Sequence, residues 1–106
     1  MTFTLDIKTS EEKAVEALEQ AREVSKREAR RRILAVADET AQINLAAAVA
    51  AQVITAEELA AYRAGLAWVA GMRAAWGPMA DAGLDPSDDA NWPAVPAGVA
   101  ELAGRF

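Results

Sequence analysis

Apolar and polar positions alternate in residues 2–8, where Phe3, Leu5 and Ile7 are separated by Thr4 and Asp6. That period of two belongs to a half-buried strand. No second strand follows in the chain. The pattern therefore fits an extended arm added to a neighbour's sheet edge, and equally an accidental alternation at a chain end. From Thr9 the period changes. Thr9 and Glu12 form the spacing of a capping box, in which a hydroxyl and a carboxylate each accept from a free backbone amide. No Gly or Pro then occurs until Gly65. The spacing predicts one long helix over about 10–52, roughly 60 Å at 1.5 Å per residue, with a kink or break left open.

The two halves of that span differ. Residues 11–32 hold six Glu, five Arg and two Lys. Their apolar positions, chiefly Ala14, Val15, Leu18, Ala21, Val24 and Ala29, form a stripe too narrow for a globular core, suited to a projecting helix or a short coiled-coil seam. Residues 33–54 are nearly uncharged, and Ile33, Val36, Thr40, Ile43, Ala47 and Ile54 recur at helical spacing, so this half is expected to be buried. Thr55 and Glu58 repeat the capping box and open a second helix over 56–76, which Gly77-Pro78 is expected to end. Leu59, Tyr62, Leu66 and Val69 mark one face of it; Gly65, Trp68, Met72 and Trp76 mark another. A helix apolar on most sides is covered on most sides. Gly65 and Gly71 each cost about 1 kcal/mol relative to Ala in a helix interior, a cost that close backbone approach would justify.

Residues 52–55 suffice to turn the chain into an antiparallel helical hairpin. Residues 78–96 then carry four Pro and four Asp and read as an irregular acidic loop. Asp85-Pro86-Ser87-Asp88-Asp89 lacks the ligand spacing of a calcium loop and reads as an acidic turn. Trp92 is expected to fold back onto the hairpin, and Val99, Leu102 and Phe106 to anchor a short helical turn. The fold class is thus all-α. It comprises an extended arm (1–9), a charged projecting helix (10–32), a hairpin core (33–77) and a Pro/Asp-rich tail (78–106).

Composition changes this picture in one respect. Apolar residues make up 53% of the 106-residue chain, but 27 of them are Ala, against 8 Leu, 8 Val, 4 Ile and 6 aromatics. Full burial of a Leu, Val or Phe contributes about 1.5–3 kcal/mol, and an Ala methyl far less. Bulky side chains are few for a self-sufficient core, so contacts with further copies or a larger assembly are expected.

Charge and chemistry exclude more than they indicate. The net charge is −5 and the pI is near 4.7, which argues against a nucleic-acid binder. Arg30, Arg31 and Arg32 have Glu19, Glu23 and Glu28 within pairing distance on the helix, and no aromatic residue is interleaved, so a solvated face or a contact with an acidic protein patch is expected. There is no Cys and no His, which removes disulfides, thiolate chemistry, the usual zinc sites and imidazole-dependent triads. No Gly-rich phosphate loop occurs. Glu57-Glu58 and Asp38-Glu39 are adjacent pairs that point to different sides of a helix and make no acid/base dyad. Asp38, Glu39, Thr40, Gln42 and Asn44 form a polar island, which either fixes register between chains or faces water. No apolar run reaches the roughly 18–20 residues needed to cross a bilayer, and acidic residues crowd positions where a signal peptide needs apolar ones. The expectation is a protein without catalysis, cofactor, metal, membrane or nucleic-acid partner.

Three stretches carry a resemblance: Arg-Arg-Arg-Ile-Leu-Ala-Val-Ala-Asp-Glu-Thr-Ala-Gln-Ile-Asn-Leu-Ala-Ala-Ala (30–48), Ala-Tyr-Arg-Ala-Gly-Leu-Ala-Trp-Val-Ala-Gly-Met-Arg-Ala-Ala-Trp (61–76) and Asn-Trp-Pro-Ala-Val-Pro-Ala-Gly-Val-Ala-Glu-Leu (91–102). From about Arg30 onward the chain resembles small proteins encoded beside tail-fibre and baseplate genes of tailed bacteriophages and prophages of alphaproteobacteria. More distantly it is similar to tail-fibre proteins and their assembly factors. The resemblance implies a structural or adaptor component of the phage tail, made in the host cytoplasm and carried in the virion, with itself and other virion proteins as partners. The second reading is a fibre-assembly chaperone absent from the particle, and the third a head-decorating protein. The resemblance supplies no catalytic residues. The residues expected at interfaces are Phe3, Leu5, Ile7, Val15, Leu18, Arg30, Arg31, Tyr62, Trp68, Met72, Trp76 and Trp92. Ile33 and Ile43 are expected to pack the hairpin together with Trp68, Met72 and Trp76.

Overall fold

The computed structural model describes residues 9–106; Phe3, Leu5 and Ile7 lie outside the described residues. Four α-helices follow in order: α1 (Ser10–Val36), α2 (Glu39–Ala50), α3 (Ala56–Asp81) and, after a 3-10 turn at Asp89–Asn91, the short α4 (Val99–Gly104). The fold is all-α, as the periodicities predict.

Both capping boxes form. Thr9 Oγ1 accepts from the Glu12 amide at 3.1 Å, and the Glu12 carboxylate accepts from the Thr9 amide at 3.3 Å. Thr55 and Glu58 repeat this at 3.1 and 2.9 Å. The Thr55 backbone amide and hydroxyl hold the Glu58 carboxyl below its ordinary range, and the Arg105 guanidinium, which reaches it from beyond α4, acts in the same direction.

The long helix is not continuous. α1 stops at Val36, Ala37 turns extended, and Asp38 becomes the N-cap of α2, its Oδ1 accepting from the Ala41 amide at 2.8 Å. The helix axes bend by 59° there. Asp competes with the backbone for its own amides and so favours a cap over a helix interior. Gln42 Nε2 also holds the elbow, donating to the Ala37 carbonyl at 2.8 Å, and Arg30 lies across it from Glu39 in an exposed pair at 3.3 Å. The polar island is thus built around a helix break and stays exposed apart from Ala41 between its members.

The second helix is longer than expected. α3 runs through Pro78 to Asp81. Proline deletes one helical hydrogen bond and crowds the preceding residue, but that residue is Gly77, with no Cβ to clash. The extra turn buries Met79 and Ala80, at 3% and 5% exposure. The stop comes at Gly83, at φ +69°, with Leu84 N–H donating to the Met79 carbonyl and Gly83 N–H to the Ala80 carbonyl. This is the two-bond left-handed helix ending. α2 ends in the same way, except that Gln52 occupies the left-handed position at φ +59°.

The hairpin exists, but its arms are α1 and α3, with α2 as the bent connection. They run antiparallel: Arg22 pairs with Asp81 at 2.8 Å, Lys26 lies over the Trp76 ring, and Ile33 reaches the Trp68–Met72 level. Ser25, Ala29 and Ile33 form the buried face of α1, small enough in the first two to let α3 approach. Helix α1 therefore docks from about Arg22, ten residues earlier than the expected boundary between its projecting and packed halves. Above that seam the tail closes the core. Trp92 is buried and joins Ala29, Ile33, Trp68, Met72 and Met79 in one cluster. Val99 and Leu102 of α4 are buried too. Gly65 permits this: a Cβ there would sit 3.3 Å from Val99 Cγ1. Ile43, expected in the hairpin, is 68% exposed on the outer face of α2, because the bend at Asp38 turns that face away from α3.

A left-handed conformation costs a non-glycine residue about 1–2 kcal/mol. Gln52→Gly is expected to raise unfolding stability by up to about 1 kcal/mol, seen as a higher urea midpoint at unchanged slope.

Candidate interaction surface

The surface sorts the expected contact residues into three groups. Trp68, Met72 and Trp92 are core residues, at 6%, 1% and 7% exposure; they are unavailable to a partner, which corrects their assignment to an interface. Each indole is also fully engaged: Trp68 Nε1 donates to the Pro93 carbonyl at 3.0 Å and Trp92 Nε1 to the Pro86 carbonyl at 2.7 Å. Both bonds tie the tail to the hairpin, so these tryptophans serve closure of the fold. Tyr62 and Trp76 are half-buried. Val15, Leu18, Arg30 and Arg31 are exposed.

The three consecutive arginines have different tasks. Arg30 pairs with Glu39, both side chains 73% exposed. Arg31 binds Glu28 from the solvent side, its Nη2 at 2.7 Å. Arg32, which sequence reasoning did not single out, is largely covered. It bonds Glu28 at 3.0 Å and Asp89 at 2.8 Å, reaches the Ser87 carbonyl at 3.3 Å, and stacks over the Trp92 ring. It locks the acidic loop onto α1. Its position one helical step from Ala29 and Ile33, on the buried side of α1, was the available signal. The Arg31 and Arg32 guanidiniums hold the Glu28 carboxyl below its ordinary value against partial burial. In the loop itself Asp85 accepts from the Ser87 amide and hydroxyl, which lowers its pKa. Its carboxylate caps a turn. Among the described residues no group of three or more Asp or Glu is placed to hold a metal ion, and no single helix is long and apolar enough to cross a membrane.

What remains open to a partner is apolar. A cleft of about 350 Å³ lies inside the elbow, between Val36, Leu45, Tyr62, Leu66, Val69 and Val99. A larger groove, about 550 Å³, adjoins it along α1 and shares Ile33, Gln42 and Arg73 with it; Ile33, Leu34 and Trp76 form its floor, and Lys26, Arg27, Arg30 and Arg73 line it together with Glu23 and Glu39. Beyond Arg22, the first three turns of α1 extend past the end of α3. There the stripe that buries Ser25, Ala29 and Ile33 continues through Ala14, Leu18 and Ala21, with Leu18 37% and neighbouring Val15 56% exposed.

Arg32→Met removes two ion pairs and a backbone bond from a covered position and is expected to lower stability by about 1–3 kcal/mol. Arg31→Met should cost less, under about 1 kcal/mol, since the Arg31 side chain is 64% exposed and exposed ion pairs are weak. Because the Glu28 carboxyl is lowered in the folded chain, its contribution is complete above the ordinary value of 4.5 and fades as pH falls through the lower folded value. The melting temperature should accordingly be level above about pH 5 and fall below pH 4.5, with that loss reduced in Glu28→Gln. Comparison with family models, with curated proteins and with solved structures finds no match to this chain.

Proposed function

We propose that this chain is a non-enzymatic structural or adaptor component of a tailed-bacteriophage particle, placed in the tail-fibre or tail-tip region, and assembled by helix packing with its own copies and with other virion proteins. The observation that carries the assembly part is the division of bulky apolar side chains. Among the described residues, Ile33, Leu45, Trp68, Met72, Met79, Trp92, Val99 and Leu102 are buried, while Val15, Leu18, Val24, Ile43, Val53, Leu66, Leu84 and Val95 are each at least 37% exposed. Single exposed leucines are ordinary in any protein. As many bulky apolar side chains outside as inside is not, and Val15 with Leu18, and Ile43 with Val53, sit on helix faces or ends that no other element covers. Apolar faces of this kind mark contact surfaces. The viral part rests on the resemblance of residues 30–48, 61–76 and 91–102.

The shifted carboxyls support a reading without catalysis. Glu28, Glu58 and Asp85 are each lowered by donors that brace helix ends and the acidic loop, and none of them faces the two clefts described above.

Mass spectrometry of purified particles from a phage encoding this chain is expected to find it as a stoichiometric component. Its absence from particles whose fibres require it would instead make it an assembly chaperone. Light scattering of the isolated chain is expected to give more than one copy per particle in solution; a monomer at all concentrations would contradict the assembly part.

A further inference from the structure

The charges of α1 are segregated along its length. Residues 10–20 carry Glu11, Glu12, Glu16 and Glu19 against Lys13 alone. Residues 22–32 carry Arg22, Lys26, Arg27, Arg30, Arg31 and Arg32 against Glu23 and Glu28. The acidic part is the overhang beyond α3, and the basic part borders the groove floored by Ile33, Leu34 and Trp76. Both lie on one side of the helix: Val15, Glu19, Lys26 and Arg30 are spaced four, seven and four residues apart and share a face.

We infer that two copies of this chain pair antiparallel through that face of α1, each acidic overhang lying in the basic-rimmed groove of the other copy. Glu19 of each copy then meets Lys26 of the second, and Val15 comes opposite Arg30 with its methyls directed at the groove floor. Glu12 and Glu16 flank the same basic rim. The axis of symmetry passes between Arg22 and Glu23, with Arg22 kept by Asp81 on the α3 side of the helix. Every one of these contacts occurs twice, as a closed two-fold pair requires. The two surfaces complement each other: a carboxylate-ringed valine, 56% exposed, and an apolar-floored groove lined by four cations and two carboxylates, where Arg73 makes no ion pair among the described residues. The other pairings are worse. A parallel pair sets acidic half against acidic half. An antiparallel pair confined to the overhangs sets Glu12 against Glu19.

The intrachain pairs Arg27–Glu23 at 4.0 Å and Arg30–Glu39 at 3.3 Å are exposed. Such pairs are worth little and exchange readily for new ones. An interface led by charge at its rim is sensitive to salt. This inference rests on the self-association in the preceding proposal and not on its viral part, which mass spectrometry reads separately.

The test uses two charge-reversed chains, one carrying Glu12→Lys, Glu16→Lys and Glu19→Lys, the other Lys26→Glu, Arg27→Glu and Arg30→Glu, with circular dichroism verifying that each is helical. Sedimentation equilibrium is expected to show the natural chain as a dimer whose dissociation constant rises at least about tenfold between about 50 mM and 500 mM salt. Each reversed chain alone should be monomeric, and their mixture should form a one-to-one heterodimer. A second measurement holds even if a reversed chain unfolds. The natural chain has no Cys, so Glu23→Cys places one thiol near the axis; a short bis-maleimide should link it to itself, whereas Ser10→Cys should stay unlinked. A monomeric natural chain, an association indifferent to the reversals, or equal linking at both positions would overturn the inference.

Discussion

The chain has bulky side chains enough for one good seam, and the rest of the structure follows from where that seam runs. It lies between α1 and α3, from the Arg22–Asp81 pair to the elbow at Ala37. Ser25 and Ala29 bring the helices close, Ile33, Met72 and Met79 fill the space, and Trp68 spans to the tail. Two helices leave one side of such a seam open. The tail covers it with Trp92 and α4, and it is held there by two indole-to-carbonyl bonds and by Arg32. Nothing is left over for the outer face of α2 or for the overhang of α1.

That allocation explains features that look unrelated. Gly65 stands in a helix interior because α4 comes within contact of its backbone. Pro78 is tolerated because ending the helix there would expose Met79 and Ala80, and Gly77 removes part of the steric objection. The acidic loop is braced from within and from α1: Asp85 and Asp88 cap its turns, and Asp89 meets Arg32.

Much of this was legible in the sequence. The capping boxes at Thr9 and Thr55, the return of Trp92, the anchoring by Val99 and Leu102 and the close approach at Gly65 all follow from local patterns that the tertiary structure does not oppose. The rest depended on competition between levels. The break at Asp38 was hidden because the flanking Ala-rich segment has uniformly high helix propensity and no Gly or Pro. Pro78 reads as a stop in the sequence because the burial that outweighs it comes from α1, far away along the chain. Arg30, Arg31 and Arg32 are the same residue type in succession; helical phase relative to Ala29 and Ile33 separates the third from the others, and the loop it binds is some 55 residues away. Ile43 fits the helical spacing of a buried face and is exposed all the same, since the elbow swings α2 toward α4 and leaves that face outside.

In the proposed assembly the overhang of α1 is completed by other molecules, while its docked part is completed within the chain. Hydrogen exchange of backbone amides at low and high protein concentration addresses this within a single molecule. Residues 24–36 are expected to be protected alike at both concentrations, whereas residues 13–21 should exchange rapidly when dilute and gain protection on concentration. Protection of the overhang equal to that of the docked part in a dilute, monomeric sample, or no gain in protection at any concentration, would contradict the account.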